Sequence, residues 1–403
     1  MSLAPGTPDV PRLLLMQRRA ALCWAMSAIG ATALRPALAQ NASRPGTVLQ
    51  VGPARELKTV AEASRLVQDG GVIEVDAGDY LADVAVWDRR GVSLRAIGGR
   101  VRLIANGAAA EAKAIWVVRA EDVQIEGFDF EGASVPSRNG AGIRLERGSL
   151  RVRDCRFIGN ENGILTGNQP ETRLSVEDSE FGHNGFGDGQ SHNLYAGEIA
   201  FLSVKGSYFH HANVGHLLKT RAAFNDIRYN RLTDEADGAA SYELEFAAGG
   251  VAQVVGNVIQ QSAGTNNPHL ISFGAEGYKW PRNELYLVHN TLVDDRPQGG
   301  IFLRVRPGAN LVRAENNVLV GNAKDDLGEW SGAGRNTRLT PAEFASPANA
   351  YRLNGRGRTM AKASPVVSAD ALDLTPRREF SAPRGTRVLT TTPASMGAMQ
   401  TSG

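Results

Sequence analysis

Five of the seven histidines lie between residues 183 and 221, in HNGFGDGQSHNLYAGEIAFLSVKGSYFHHANVGHLLKTR, with Lys219 and Arg221 at its end. Imidazole, amine and phenol move protons, and guanidinium grips carboxylate in a two-pronged fork. Such a set suits β-elimination of a uronate, which needs the sugar carboxylate neutralised, the proton alpha to it removed and the departing oxygen assisted. On that reading His216 and Lys219 are the proton-transfer candidates, Tyr195 is the acid, and Lys219 is expected to have its pKa lowered by Arg221. Arg221, Arg304 and Arg306 are the carboxylate-binding candidates. His192 and Asn193 either touch substrate or bond turn backbone as corner residues, and the same corner reading is preferred for His210 and His211. Tyr278 and Trp280, in the loop GAEGYKWPRN, are candidates for stacking on sugar rings. Glu243 and Glu245, two residues apart, are the candidate calcium pair. A site of several histidines lacks a ligand spacing repeated in a second motif.

Two other functions use the same residues. A glycoside hydrolase would employ two of Glu243, Glu245, Glu276 and Asp294. A non-catalytic polysaccharide-binding protein would keep the charges and aromatics without a convergent acid and base.

The elements that must carry these residues repeat. An apolar residue, a small or amide residue three positions on, and an apolar residue two further recur at Ile125/Phe128/Phe130, Val152/Cys155/Phe157, Val176/Ser179/Phe181, Val204/Ser207/Phe209, Ile227/Asn230/Leu232, Val254/Asn257/Ile259, Leu287/Asn290/Leu292 and Ala314/Asn317/Leu319. The period is about 27 residues, and the units carry a second short strand in place of a helical face. This pattern predicts an all-β solenoid, a single-stranded right-handed parallel β-helix, with Asn230, Asn257, Asn290 and Asn317 stacked at one corner. Alternation should then leave Glu243 and Glu245 outward between Tyr242, Leu244 and Phe246, and Arg304 and Arg306 outward between Ile301, Leu303 and Val305. His216 and Lys219 have opposite parity, so the chain must bulge after His216 or turn a corner there.

The boundaries read as an export signal over 1–39, a strand and capping helix (about Leu57 to Gln68) over 40–72, the β-helix over 73–323, an irregular C-terminal cap over 324–389 and a loose tail over 390–403. Arg18-Arg19, a short apolar run and Arg35-Pro36-Ala37-Leu38-Ala39 form the signal, through the twin-arginine or the ordinary route. The protein is expected in the periplasm or outside the cell, as a monomer and with no membrane span. The chain of 403 residues has a formal charge of +2. Subtracting the signal's +3 leaves −1, which argues against a nucleic-acid partner and confines affinity for an acidic polysaccharide to a local patch. Without Cys23 only Cys155 remains, so stability must come from packing.

The chain resembles the right-handed parallel β-helix proteins of the pectate-lyase-like superfamily, through VGP…LKTVAEASRLVQDGGVIEVDAGDY, the stacked coils and KASPVVSADALDLTPRREFSAPRG. The resemblance spans roughly residues 47 to 385 and implies the fold. It leaves the activity open among lyases, hydrolases, epimerases, esterases and adhesins. The Asn-Thr-Asp and Gly-His-Gly strings of a polygalacturonase are absent. An exported polysaccharide lyase acting in a lateral groove is the leading expectation.

Overall fold

A computed structural model describes residues 48–324, 335–346, 350–369 and 372–400; the expected signal lies outside the described residues. The eight motif positions align coil by coil. The first positions run in parallel register from Ile125 through Val152, Val176, Val204, Ile227, Val254 and Leu287 to Ala314. The third positions do so from Phe130 to Leu319. Each inward position is thus covered above and below by its counterpart, at the spacing of about 4.8 Å set by backbone hydrogen bonds. Phe130, Phe157, Phe181 and Phe209 stack face to face at 4.9, 4.7 and 4.5 Å.

The middle motif positions form the expected ladder. The backbone N–H of Cys155 donates to Ser179 Oγ, that of Ser179 to Ser207 Oγ, and that of Ser207 to Asn230 Oδ1. The same bond continues through Asn257, Asn290 and Asn317 to Asn336, at 2.8 to 3.0 Å. Cys155 is buried, and burial pushes its thiol up to about 12.

Strands of these motifs form a twenty-stranded sheet, and the second strand of each coil forms a nine-stranded sheet. The nine are Ala85–Trp87, Ala114–Val118, Ala141–Leu145, Asn162–Thr166, Leu194–Ala196, Leu218–Thr220, Leu244–Phe246, His269–Phe273 and Ile301–Val305. The stack runs past residue 323, because Thr337–Leu339 adds one more parallel strand to Val318–Gly321.

At the start, the helix is shorter than expected, Val60–Leu66. A capping box between Thr59 and Glu62 and the Asp83 carboxylate, bonded to the N–H groups of Val60 and Ala61, fix its first turn. Val67 already turns extended, before Gly70.

In the expected cap, Arg384 pairs with Asp154 and Glu180, and Leu374 is buried beside Tyr286 and Val288. Residues 390–400 differ from the expected loose tail, because Met396, Ala398 and Met399 are buried. Apolar side chains and backbone bonds, such as Ala398 N–H to Thr291 Oγ1, hold residues 390–400 against the coils. The segment lies along the side of the twenty-stranded sheet.

Candidate active site

The outward residues of the nine-stranded sheet form one register column: Val86, Val117, Arg144, Leu165, Tyr195, Lys219, Glu245, Ser272 and Arg304. Its first half is apolar apart from Arg144, and Tyr195 rests on the cluster around Val117 and Leu165. Its second half is charged. Tyr195, Lys219, Glu245 and Arg304 therefore share one face, as their positions in the repeat imply.

Neighbours off the column complete the charged half. Lys219 Nζ lies 3.1 Å from Glu245 Oε2 and 3.0 Å from Glu276 Oε1. Arg221 forks Glu276, with Nε 2.6 Å from Oε2 and Nη2 2.7 Å from Oε1. Its guanidinium lies 4.9 Å from the centre of the Tyr195 ring. His216 Nε2 is 3.0 Å from Glu245 Oε2, and His216 N–H donates to His192 Nδ1 at 3.0 Å. The parity conflict between His216 and Lys219 is resolved at a corner. Leu217 and Leu218 are consecutive and both fully buried, so the chain turns before the strand begins at Leu218.

The charges set one another. Arg221 holds the Glu276 carboxyl down at about 2. Burial works against the Glu245 carboxylate, yet bonds from His216 and Lys219 outweigh it and lower its pKa. Burial pulls Lys219 down, but Glu245 and Glu276 prevail and raise it above the usual 10.5. The expected lowering by Arg221 does not occur, because Arg221 is neutralised by Glu276. His192 is held neutral, its pKa well below the usual value through burial and then the nearby His216.

Several candidates are placed elsewhere. Asn193 is fully buried in a second amide ladder, where its Oδ1 accepts from Asn184 Nδ2 at 2.8 Å and its Nδ2 donates to the His210 carbonyl. It does not face a ligand. His192 is buried and supports His216 from behind. Tyr278 is wedged against Phe273 and donates its hydroxyl to the Arg306 carbonyl at 2.6 Å; burial pushes it up to about 12. Trp280 donates its indole N–H to the Arg221 carbonyl at 2.9 Å, pinning the loop to the strand end. Both aromatics hold the loop that delivers Glu276 through these bonds.

The calcium pair is also separated. Alternation begins only at Leu244: Tyr242 is half-buried between His216 and His269, whereas Glu243 is fully buried. Both Glu243 oxygens lack a hydrogen-bond partner among the described residues, and burial, then Asp234, raises its pKa far above the usual value. Glu245 faces His216 and Lys219 instead, so the two carboxylates do not share a cation site.

Arg304 and Arg306 flank a shallow groove with Ser272 and Ala275. Among the described residues Arg304 has no ion pair, and Arg306 bonds the Ala275 carbonyl. The sequence reading offers Glu276 for this face and as a hydrolase carboxylate, but does not pair it with Arg221. Arg144 escapes the sequence reading, although AGIRL alternates as IFLRV does; its Nε is buried without a hydrogen-bond partner among the described residues, and burial lowers its pKa.

No protein-family model matches the sequence, and neither does any curated protein sequence. Among solved structures, the crystal structure of pectate lyase Pel9A superposes with a TM-score of 0.56 at 13% identity, covering 89% of this chain and 97% of that one. The chain shares the parallel β-helix fold of that structure. A pectin methylesterase from Aspergillus niger matches at a TM-score of 0.38 and 11% identity, over 81% of this chain and 93% of that one. A PL6 family polysaccharide lyase from Pseudopedobacter saltans matches at 0.32 and 12%, over 81% and 99%. These two superpose too loosely to carry an argument, and at such identities even the first speaks for the fold alone. Among the described residues no helix is long and apolar enough to cross a membrane.

Proposed function

We propose that the protein is an exported polysaccharide lyase that cleaves a uronate-containing chain by β-elimination along the outer face of the nine-stranded sheet. The observation that carries this reading is the fork on Glu276. Lys219 and Arg221 already grip a carboxylate, on a loop, at the middle of the charged column. A uronate carboxylate is the same chemical group, and a polymer lying along the stack meets one column residue per coil. In this reading the substrate displaces Glu276 and is neutralised by Arg221, while Arg304, without an ion pair among the described residues, takes a second uronate three coils on.

Lys219 Nζ, once deprotonated, removes the proton alpha to the carboxylate. The electron pair forms the ring double bond, the glycosidic C–O bond breaks, and the Tyr195 hydroxyl gives its proton to the departing oxygen. Glu245 and His216 position Lys219. Because its two carboxylates raise Lys219, kcat/KM should climb into the alkaline range. The hydrolase reading is weakened by the same electrostatics. It needs a protonated carboxyl as acid, and Glu245 and Glu276 are both held below their ordinary values. Glu243 and Asp294 do have raised pKa values, but both are buried.

The test incubates the purified chain with a panel of uronate and neutral polysaccharides, following ultraviolet absorbance of unsaturated uronates and new reducing ends together. Rise of both signals on an acidic polymer supports the lyase. Reducing ends without absorbance would establish a hydrolase, and binding with neither signal a scaffold.

A further inference from the structure

A second cluster lies apart from the charged column, at the corner after strands Glu180–Gly182 and Tyr208–His210. The imidazoles of His183, His210 and His211 converge there, with one nitrogen of each within 4.8 Å of the others. His210 Nδ1 and His211 Nδ1 face each other at 2.7 Å. Their other nitrogens point at carboxylates. His211 Nε2 is 3.0 Å from Asp237 Oδ1, and His210 Nε2 is 3.6 Å from Glu180 Oε1, without a hydrogen-bond partner among the described residues.

This arrangement is frustrated as a pair of neutral imidazoles. One Nδ1 must carry the hydrogen between them, and that ring then turns a bare Nε2 toward a carboxylate. A cation on both Nδ1 atoms removes the conflict, because each Nε2 keeps its hydrogen for Glu180 or Asp237. That is the carboxylate–histidine–metal relay by which metalloproteins fix ligand rings.

We propose that His183, His210 and His211 bind one divalent transition-metal ion of the zinc class, with Glu180 and Asp237 orienting two of the rings. Metal–nitrogen bonds of about 2.0–2.1 Å put neighbouring ligand nitrogens about 3 Å apart, so the Nδ1 pair needs to open by well under 1 Å. The ring positions are built in. Tyr208 stacks on His210 at 4.5 Å and His183 on His211 at 4.7 Å, and a Cβ on Gly182 would collide with the His210 ring. His183 is exposed, so the ion is reached from solvent and keeps an open position. Three imidazoles favour zinc, copper or nickel over calcium or magnesium, which prefer oxygen. The site is independent of the lyase reading.

The test titrates zinc chloride into the full chain carrying no affinity tag, by calorimetry, and measures bound metal after gel filtration. One zinc per chain is expected, with calcium chloride giving no saturable binding. His183→Ala and His211→Ala should each weaken zinc at least 100-fold, Asp237→Asn should weaken it 10- to 100-fold, and His269→Ala should bind as the parent does. Melting curves without metal check that each variant is folded. No zinc binding by the parent, equal binding of calcium, or parent-like affinity in both the His183 and His211 variants would overturn the site.

Discussion

At one corner of the coils Asn230, Asn257, Asn290 and Asn317 each accept from the amide below and donate to the one above, whereas on the nine-stranded face Tyr195, Lys219, Glu245, Ser272 and Arg304 stack with no two neighbours alike. A carboxamide is both donor and acceptor, so identical copies satisfy one another and the column can be dry. Charges cannot repeat in this way. The face must borrow His216, Arg221 and Glu276 from beyond the column, and at its end Arg304 is left unpaired. The ladder has no bond to offer a ligand, while the charged face holds bonds that a ligand of the right charge can take over.

The largest effect that would sharpen this contrast is on activity. Lys219→Ala should lower kcat/KM on a uronate polymer by at least about 1000-fold, near 4 kcal/mol, with the melting temperature almost unchanged. Removing Lys219 still leaves Glu245 with His216 and Glu276 with Arg221. Lost stability with retained turnover would reverse the roles assigned to the two stacks. Next is Asn257→Ala, expected to cost about 3 kcal/mol in chemical denaturation while kcat/KM stays near the parent. It leaves the buried Asn230 backbone N–H without its acceptor and removes one bond each from Asn230 Nδ2, the Ile227 carbonyl and Asn290 Oδ1.

The same contrast explains what was legible in the sequence. Ladder and core follow a fixed period, so the eight motifs align from the sequence alone, and all eight stand in register in the fold. The column was legible where a residue sits inside a regular strand, as with Tyr195, Lys219, Glu245 and Arg304. It failed at corners. Glu243 and Asn193 lie beside strand ends, where alternation stops and a one-residue turn exchanges burial for exposure. The roles of Tyr278 and Trp280 depend on which backbone carbonyl each reaches, and no pattern encodes that. The raised pKa of Lys219 depends on Glu245 and Glu276, both of which come from other coils.

A third stack tests the rule that only self-complementary side chains close a buried column. Gln261 aligns with Asp294, Asp234 lies one coil before, and Glu243 is beside them. Oxygens of all four lack partners among the described residues, and burial pushes Asp234 up to about 7. A carboxyl whose pKa is raised by folding loses stability for the native state as pH climbs from its unfolded value to its folded one. Stability should therefore fall between about pH 4 and pH 7, and Asp234→Asn should flatten that fall by about 1–2 kcal/mol in urea midpoints taken across the window. An unchanged slope would remove this stack from the comparison.

The smallest stability effect carries the finest test of the charged face. Glu276 is held at about 2, so its pairing stabilises above the usual carboxylate value and is lost as pH falls toward 2. The pair is partly exposed, so Glu276→Gln should cost under about 1 kcal/mol at neutral pH. Its kinetic signature is more informative. The substitution takes one of two carboxylates from Lys219, which lowers the lysine pKa, and it frees the Arg221 fork for substrate. The alkaline limb of kcat/KM should move to lower pH and KM for a uronate polymer should fall. Were Glu276 only a strut for its loop, KM would rise and the limb would stay in place.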